Sequence, residues 1–220
     1  MISEAAVVLT ELEMDALTEL VNLGVSNAAL SLREMVREEV ILSVPKVTIM
    51  AREEAITSLG EGDGRRLVAV HQHFQGDIEG RALLIFPEAK SMELVRAVVG
   101  GDLPLEELME LEQEALAETG NVILNGCLGT IANNLQHSLK ISLPEVVYGG
   151  GSEFFSLAPP PNVADGVVFI YINFLVRERD IKGYIAMLLD FPSLVTLKGM
   201  LGRFIERVGE GGVVTRPHAS

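Results

Sequence analysis

Apolar residues recur three and four positions apart along residues 10–37, which is the spacing of one face of an α-helix. Polar residues fill the opposite side of this stretch. Thr10 and Glu13 form a candidate capping box at its start. Residues 104–137 show the same spacing. The sequence therefore predicts two long amphipathic helices, each with one buried face and one solvated face.

Segments rich in β-branched residues follow each long helix and predict strands. Two of them, 40–50 and 141–148, each contain a proline. Because proline cannot donate to a strand ladder, the proline in 40–50 indicates an edge position, a bulge or an end of pairing. A stretch with three glycines and three prolines, 149–161, is expected to be irregular. Further hairpin strands are predicted at 67–74 with 80–86 and at 167–176 with 182–190, and shorter helices at 53–59, 87–99 and 192–208.

The solvated face of the first long helix is repeated on the second at a constant offset of 99 residues. A carboxylate, a second carboxylate four residues later and an amide three further lie on one side of a helix, and a proline follows. The first copy of this stripe is Asp15, Glu19 and Asn22 with Pro45, and the second is Glu114, Glu118 and Asn121 with Pro144. The chain is therefore interpreted as a tandem duplication of a unit of about 100 residues.

Each unit runs from a long helix through a strand and a hairpin to a shorter helix, and this order is not the alternating βαβ pattern of a parallel sheet. We predict an α+β fold, with a mostly antiparallel sheet flanked by long helices and a pseudo-twofold axis between the copies. A single domain is expected over 1–208, made of repeats at about 8–101 and 104–208. Residues 209–220 are expected to form a flexible tail.

Charge and cysteine content restrict the classes of partner and compartment. The chain has 17 Lys+Arg against 31 Asp+Glu, a formal charge of −14, so nucleic acid and anionic membrane surfaces are not expected partners. The single cysteine, Cys127, lies in a helical pattern and is predicted to be a buried, inert thiol. No secretory signal and no apolar run long enough to span a bilayer is present. We expect a cytoplasmic protein without membrane insertion.

The repeated stripe contains no pairing of a nucleophile with a base, and no glycine-rich phosphate loop occurs in the chain. His71 and His73 have a spacing that allows metal binding on one face of a strand, but a solvent-facing pair is favoured. Charged and amide residues are also the ordinary composition of a solvated helix face. A functional role for the stripe is favoured over an ordinary solvated face, because its polar positions keep their spacing in both copies while neighbouring residues differ. Gly24 in the first copy, for example, corresponds to Ile123 in the second.

A carboxylate and an amide on one helix face can act on a group that another molecule brings. The carboxylate can pair with a cation, and the amide can hold a water molecule by donor and acceptor together. Phosphoryl hydrolysis suits this arrangement, because positioning an in-line water supplies much of the catalysis. The partner would then bring both the phosphate and the metal.

The doubled pattern [Asp/Ser]-x3-Glu-x2-Asn-x22-Pro resembles that of the CheC family of bacterial and archaeal chemotaxis phosphatases. The resemblance covers about residues 8–208, and the second copy keeps Gly120 just before its asparagine, where the first has Val21. It implies a hydrolase of two-component signalling that removes the aspartyl-phosphate from a CheY-type response regulator. Glu19 and Glu118 would pair with the lysine of the receiver domain, and Asn22 and Asn121 would orient the attacking water.

The same resemblance implies that the receiver carries Mg²⁺ and that this chain has no cofactor or metal of its own. Asp15, Glu114, Pro45 and Pro144 are supporting motif positions, and Glu114 stands where family members more often have Asp or Ser. The alternative is a non-catalytic adaptor that binds a receiver domain or the CheD receptor deamidase through the same face. The intact asparagine in both copies favours the phosphatase, since docking alone would not need a water-orienting amide.

Overall fold

The computed structural model describes residues 7–36, 40–59, 66–99, 104–156, 166–176 and 179–211. The predicted loop at 60–64, the helix-ending glycines at 100–101, the triple proline at 159–161 and residues 212–220 of the tail predicted over 209–220 lie outside these residues. The helix predicted to end at 208 continues to Gly211. The elements follow in the order α1 (Glu11–Val36), β1 (Val40–Ala51), α2 (Arg52–Ser58), β2 (Leu67–Gly76), β3 (Gly80–Pro87), α3 (Ser91–Val99), α4 (Leu105–Leu135), β4 (Leu139–Ile141), β5 (Glu145–Gly149), α5 (Gly151–Ser156), β6 (Gly166–Val176), β7 (Arg179–Leu189) and α6 (Phe191–Gly211).

The ends of the long helices follow local side-chain and backbone chemistry. At the start of α1 the Thr10 amide donates to Glu13 Oε2 at 2.7 Å, and the Glu13 amide donates to Thr10 Oγ1 at 3.2 Å. This confirms the predicted capping box, which satisfies two donors that the first turn cannot pair internally. Helix α4 ends at Gln136, whose φ of 63° lies in the left-handed region that closes many helices.

The seven strands form one antiparallel sheet that both copies share. Its order is β1-β6-β7-β3-β2-β4, with β5 also paired to β2. Read from either edge, the order passes through equivalent strands of the two copies and meets in the centre between β7 and β3. The predicted α+β fold with antiparallel pairing and pseudo-twofold symmetry is confirmed. The proposed boundaries of the domain and of its repeats stay predictions.

The two prolines interrupt pairing at equivalent edges of the sheet. Strand β1 pairs with β6, and its register shifts between Ser43 and Lys46, the segment that contains Pro45. In the second copy the interruption is complete, because residues 142–144 separate β4 from β5. A single strand over 141–148 was therefore the wrong prediction, and the missing donor of Pro144 is the physical reason.

Both faces of the sheet are covered. The long helices α1 and α4, together with α3 and α6, enclose the larger core on one face. On the other face α2 and α5 form a smaller core that includes Phe154 and Phe155. The expectation of irregular structure over 149–161 was wrong for Gly151–Ser156, which is the helical counterpart of α2. The buried phenylalanines explain why this segment orders.

His71 is buried, with 5% of its surface exposed, whereas His73 on the same strand is exposed. The expectation of a solvent-facing pair was therefore wrong for His71. The reason is that β2 alternates, and Leu67 and Ala69 on the same face as His71 pack in the smaller core beneath α2 and α5. His73 lies closer to the end of the strand, beyond that cover.

Helices α1 and α4 cross with their backbones almost in contact. A Cβ atom added at Gly24 would lie 2.9 Å from the Cα of Cys127, and one added at Gly126 would lie 3.0 Å from the Cβ of Ala28. Burial at this crossing raises the pKa of the Cys127 thiol to about 12. The prediction of a buried, inert thiol is confirmed.

Candidate active site

The first copy of the stripe lies on the outward side of α1. Asp15 and Glu19 are exposed, while Asn22 is half-buried. Within the described residues no hydrogen bond holds the Asn22 carboxamide. Both its oxygen and its nitrogen are therefore open to a partner or to water.

The second copy occupies the equivalent side of α4, with Glu114 and Glu118 exposed and Asn121 half-buried. Here the carboxamide is held. Asn121 Oδ1 accepts one hydrogen bond from Gln72 Nε2 at 3.2 Å and another from Asn125 Nδ2 at 2.7 Å. The two lone pairs of this oxygen are thereby used, and the two N–H groups of Asn121 remain available. We expected the amide to hold a water molecule through both its oxygen and its N–H groups. In Asn121 only the N–H groups can do so.

Gln72 connects this asparagine to the loop that carries the motif proline. The side chain of Gln72 is fully buried, and its Nε2 also donates to the carbonyl oxygen of Ser142 at 2.8 Å. Ser142 is fixed to the same strand, because its hydroxyl accepts from the His73 amide at 2.9 Å and its own amide donates to the His73 carbonyl at 2.8 Å. The loop of Pro144 and the catalytic candidate Asn121 thus share one support.

The close approach of α4 to β2 depends on Gly120. A Cβ atom at this position would overlap the side chain of Val70. Helix α1 has Val21 at the equivalent position, and this residue is buried in the core. The glycine before the second asparagine therefore has a packing role, since it lets Asn121 come within reach of Gln72.

Gln72 and Asn125 were not identified from the sequence. Each had a signal, because Gln72 is the polar residue in a row of inward positions that otherwise holds Val68, Val70 and Phe74. Asn125 stands one helical turn after Asn121, where two amides can meet. Neither signal identifies a partner without the tertiary packing that brings β2 beneath α4.

The first copy has neither support. Its loop residue Ser43 lies opposite Asn173 just as Ser142 lies opposite His73, which makes Ile172 the counterpart of Gln72. Ile172 is 2% exposed and has no hydrogen-bond donor in its side chain. The counterpart of Asn125, at the offset of 99, is Ser26 on the exposed side of α1.

Charges beside the two proline loops also differ. In the second copy Glu145 approaches His71, with 3.8 Å between Oε2 and Nε2. Burial lowers the pKa of His71, the nearby Arg81 lowers it further, and Glu145 acts in the opposite direction. At the equivalent cross-strand pair of the first copy, Lys46 lies over the ring of Tyr171 at 5.5 Å. The sheet edge of the first copy therefore presents the cation of Lys46, and the edge of the second copy presents the carboxylate of Glu145.

Two further features concern the described residues as a whole. They contain no group of three or more His, Cys, Asp or Glu side chains placed to hold a metal ion. None of their helices combines the length and apolar character that crossing a membrane requires.

Comparison with known proteins shows which family the chain is similar to. A model of the chemotaxis phosphatase CheX family matches residues 68–159, which include the second stripe and Gln72. Over 203 residues the chain is 25% identical to the CheY-P phosphatase CheC of Bacillus subtilis, covering 87% of this chain and 95% of that protein. The chain is therefore similar to proteins of the CheC/CheX/FliY family.

Solved structures of this family have the same fold. The crystal structure of Thermotoga maritima FliY is similar with a TM-score of 0.71 at 18% identity, covering 90% of this chain and 99% of that chain. A CheX structure from Desulfovibrio desulfuricans is similar with a TM-score of 0.51 at 14% identity, covering 77% of this chain and 99% of that chain. The resemblance stated from the doubled motif is confirmed at the level of the family and its fold.

Proposed function

We propose that this protein is a member of the CheC/CheX/FliY family and a phosphatase that hydrolyses the aspartyl-phosphate of a CheY-type receiver domain. The observation that carries the proposal is the arrangement on α4, where exposed Glu118 stands one turn before a carboxamide fixed by two donors. The similarity to a CheY-P phosphatase over 203 residues supports the substrate class. A second site of the same residue types lies on α1.

In this mechanism Glu19 and Glu118 bind the partner and the asparagines act on water. Each exposed carboxylate pairs with the active-site lysine of the receiver, which docks the phosphorylated aspartate against the helix. An N–H group of Asn121 donates to the oxygen of a water molecule and holds it in line with the phosphorus–aspartyl bond. The water oxygen then bonds to phosphorus as the aspartyl oxygen leaves, giving inorganic phosphate, which retains the protons of the water, and the aspartate carboxylate of the receiver.

Mg²⁺ belongs to the receiver in this proposal. The stripe offers too few oxygen ligands for a complete Mg²⁺ site, since Mg²⁺ requires near-octahedral coordination. Turnover should require Mg²⁺, yet calorimetry of this chain with Mg²⁺ alone should detect no tight binding. Tight binding that Asn121→Ala removes would contradict the mechanism. We also propose that the protein is cytoplasmic, because receivers are phosphorylated there.

The decisive experiment is the decay of a radiolabelled receiver aspartyl-phosphate with and without the protein. Asn22→Ala/Asn121→Ala should lower the rate by about 10²–10³, the usual cost of losing one preorganised polar group in a transition state. Its affinity for the phosphorylated receiver should stay close to that of the unsubstituted protein, because the amide acts mainly in the transition state. Glu19→Ala/Glu118→Ala should weaken both affinity and turnover.

Glu34→Ala/Glu106→Ala is the matched control, because it removes two exposed carboxylates from the same helices outside the i, i+4, i+7 stripes. It should change neither measurement. Hydrolysis by the double asparagine variant at the unsubstituted rate would refute the phosphatase. It would favour the second candidate, an adaptor that binds a receiver or the CheD deamidase through the same exposed carboxylates.

A further inference from the structure

We infer that Gln72 and Asn125 are positioning residues that fix the carboxamide of Asn121 for catalysis. The inference rests on the proposed function and deepens it, because it names residues outside the motif that determine how well one of the two sites works. Neither side chain needs to touch the receiver or the phosphate. Both act through Asn121.

The geometry leaves the Asn121 carboxamide one orientation. An asparagine side chain otherwise turns readily about its last torsion, whose energy profile is broad. Here Gln72 donates to Oδ1 from the strand below and Asn125 donates to the same atom from the next turn of α4. A half-turn of the amide would place its own N–H groups against these two donors. The oxygen therefore faces these two donors, and the N–H groups stay available for a water molecule.

Gln72 and Asn125 lower the stability of the fold where they lie, which indicates that they serve another purpose. Gln72 is 0% exposed, and neither its Oε1 nor Asn125 Oδ1, both buried atoms, has a hydrogen-bond partner within the described residues. A buried acceptor without a partner costs stability. The first copy avoids this cost at the equivalent strand position, where Ile172 packs in the core. Proteins accept such losses of local stability mainly at sites where a function requires the residue.

The consequence is an unequal pair of sites. At the second site the amide is oriented before the receiver binds, so little reorganisation is needed when the water reacts. At the first site, with Ile172 and Ser26 in place of the two donors, Asn22 must become ordered during each encounter. The second site is therefore the faster one.

The test uses proteins in which one site works. In an Asn22→Ala background only the second site is intact, and Gln72→Met should lower kcat by about 10–100-fold, the range expected when a reacting group is displaced by up to ~1 Å. KM should not change, because Gln72 is buried and Glu118 remains. In an Asn121→Ala background this loss should disappear, since no carboxamide is left to hold.

In Gln72→Met the methionine keeps the length of glutamine and removes its hydrogen-bond donor. A second variant, Asn125→Ser, places at position 125 the residue type found at the equivalent position 26 of the first copy. The second variant guards against a folding defect, because Asn125 lies at the half-exposed surface. It should lower kcat in the same direction in the Asn22→Ala background. Gln75→Met, at an exposed position on the same strand, should change neither constant in either background.

Equal losses in both single-site backgrounds would overturn the inference, because they would show that Gln72 supports the fold alone. No loss in either background would also overturn it. A protein that fails to hydrolyse the receiver phosphate before any substitution contradicts the proposed function instead. In that case side-chain amide relaxation by NMR still tests positioning. The Asn121 amide should be more rigid than that of Asn22 and should lose this rigidity in Gln72→Met.

Discussion

Two copies of one polar stripe lie on equivalent helices, yet the residues beneath them differ. In the second copy an amide-bearing strand residue and a second asparagine hold Asn121, while the equivalent strand position of the first copy is the buried Ile172. The residue types that would touch substrate are therefore repeated, and those that would orient them are not. A duplicated motif indicates which chemistry is possible at both places. It does not indicate that both places are equally prepared for it.

The packing of the two long helices differs in the same place as the residues beneath them. Gly120 lets α4 rest against Val70 of β2, and this contact brings Asn121 to Gln72. With Val21 at that position, α1 carries a side chain where α4 has none. An amide placed at position 172 would have to span this extra layer before reaching Asn22. Apolar packing at Ile172 is the alternative that the first copy adopts.

The largest expected effect separates the two asparagines. Asn121→Ala should lengthen the half-life of the receiver phosphate by about tenfold or more, because it removes a preorganised donor. Asn22→Ala should change the half-life by less than about twofold, since the faster second site remains. The measurement is receiver dephosphorylation at matched protein concentration. Equal effects, or a larger effect from Asn22→Ala, would show that the difference in hydrogen bonding has no kinetic consequence.

Periodicity and spacing predicted most of the fold, because its elements are long and amphipathic. The two long helices, the hairpins and the antiparallel class all follow from patterns within a few tens of residues. The short helix α5 was missed, since Gly151–Ser156 lies beside a glycine cluster and orders only through buried Phe154 and Phe155. The break between β4 and β5 was missed, because 141–148 was predicted as one strand although it contains Pro144.

The candidate site was predicted in part. The stripe on each helix could be read from i, i+4 and i+7 spacing, and the structure exposes both glutamates and leaves both asparagines half-buried. The roles of these residues stay predictions. Gln72 could not be assigned to Asn121 from sequence, because the two are 49 residues apart and meet only through sheet order and helix packing. Such support is a tertiary property that local patterns do not encode.

A smaller effect tests the packing beneath the second site. Gly120→Ala should lower the free energy of unfolding by about 1–3 kcal/mol, the usual cost of forcing extra volume into a filled core. Gly129→Ala is the control on the same helix, because a Cβ atom there would meet nothing within 4 Å. It should stabilise the protein by about 0.4–1 kcal/mol by restricting the unfolded chain. Urea unfolding measures both changes.

In the Asn22→Ala background Gly120→Ala should also slow hydrolysis, since a displaced α4 moves Asn121 away from Gln72. The stability loss and the rate loss should appear together in this variant and be absent from Gly129→Ala. Gly120→Ala with the stability and rate of the unsubstituted protein would mean that α4 can move away from Val70 without consequence. The difference between Gly120 and Val21 would then explain nothing about the two sites.

The smallest expected effect concerns pH and the edge beside the second site, where His71 faces Glu145 and the first copy has Tyr171 and Lys46 instead. Burial, and then the charge of Arg81, lowers the pKa of His71 below its ordinary value of 6.5, although Glu145 partly opposes the shift. The folded protein therefore takes up a proton on this residue less readily than the unfolded chain does. Its contribution to stability is complete above about pH 6.5 and is lost as the pH falls below that value.

His71→Gln should flatten the fall in unfolding free energy over this range, measured by urea unfolding at a series of pH values. His73→Gln, two residues along and exposed, is the control and should leave the slope unchanged. If both substitutions alter the slope equally, the pH dependence does not come from burial at this edge, and the two edges differ in charge without differing in acid stability.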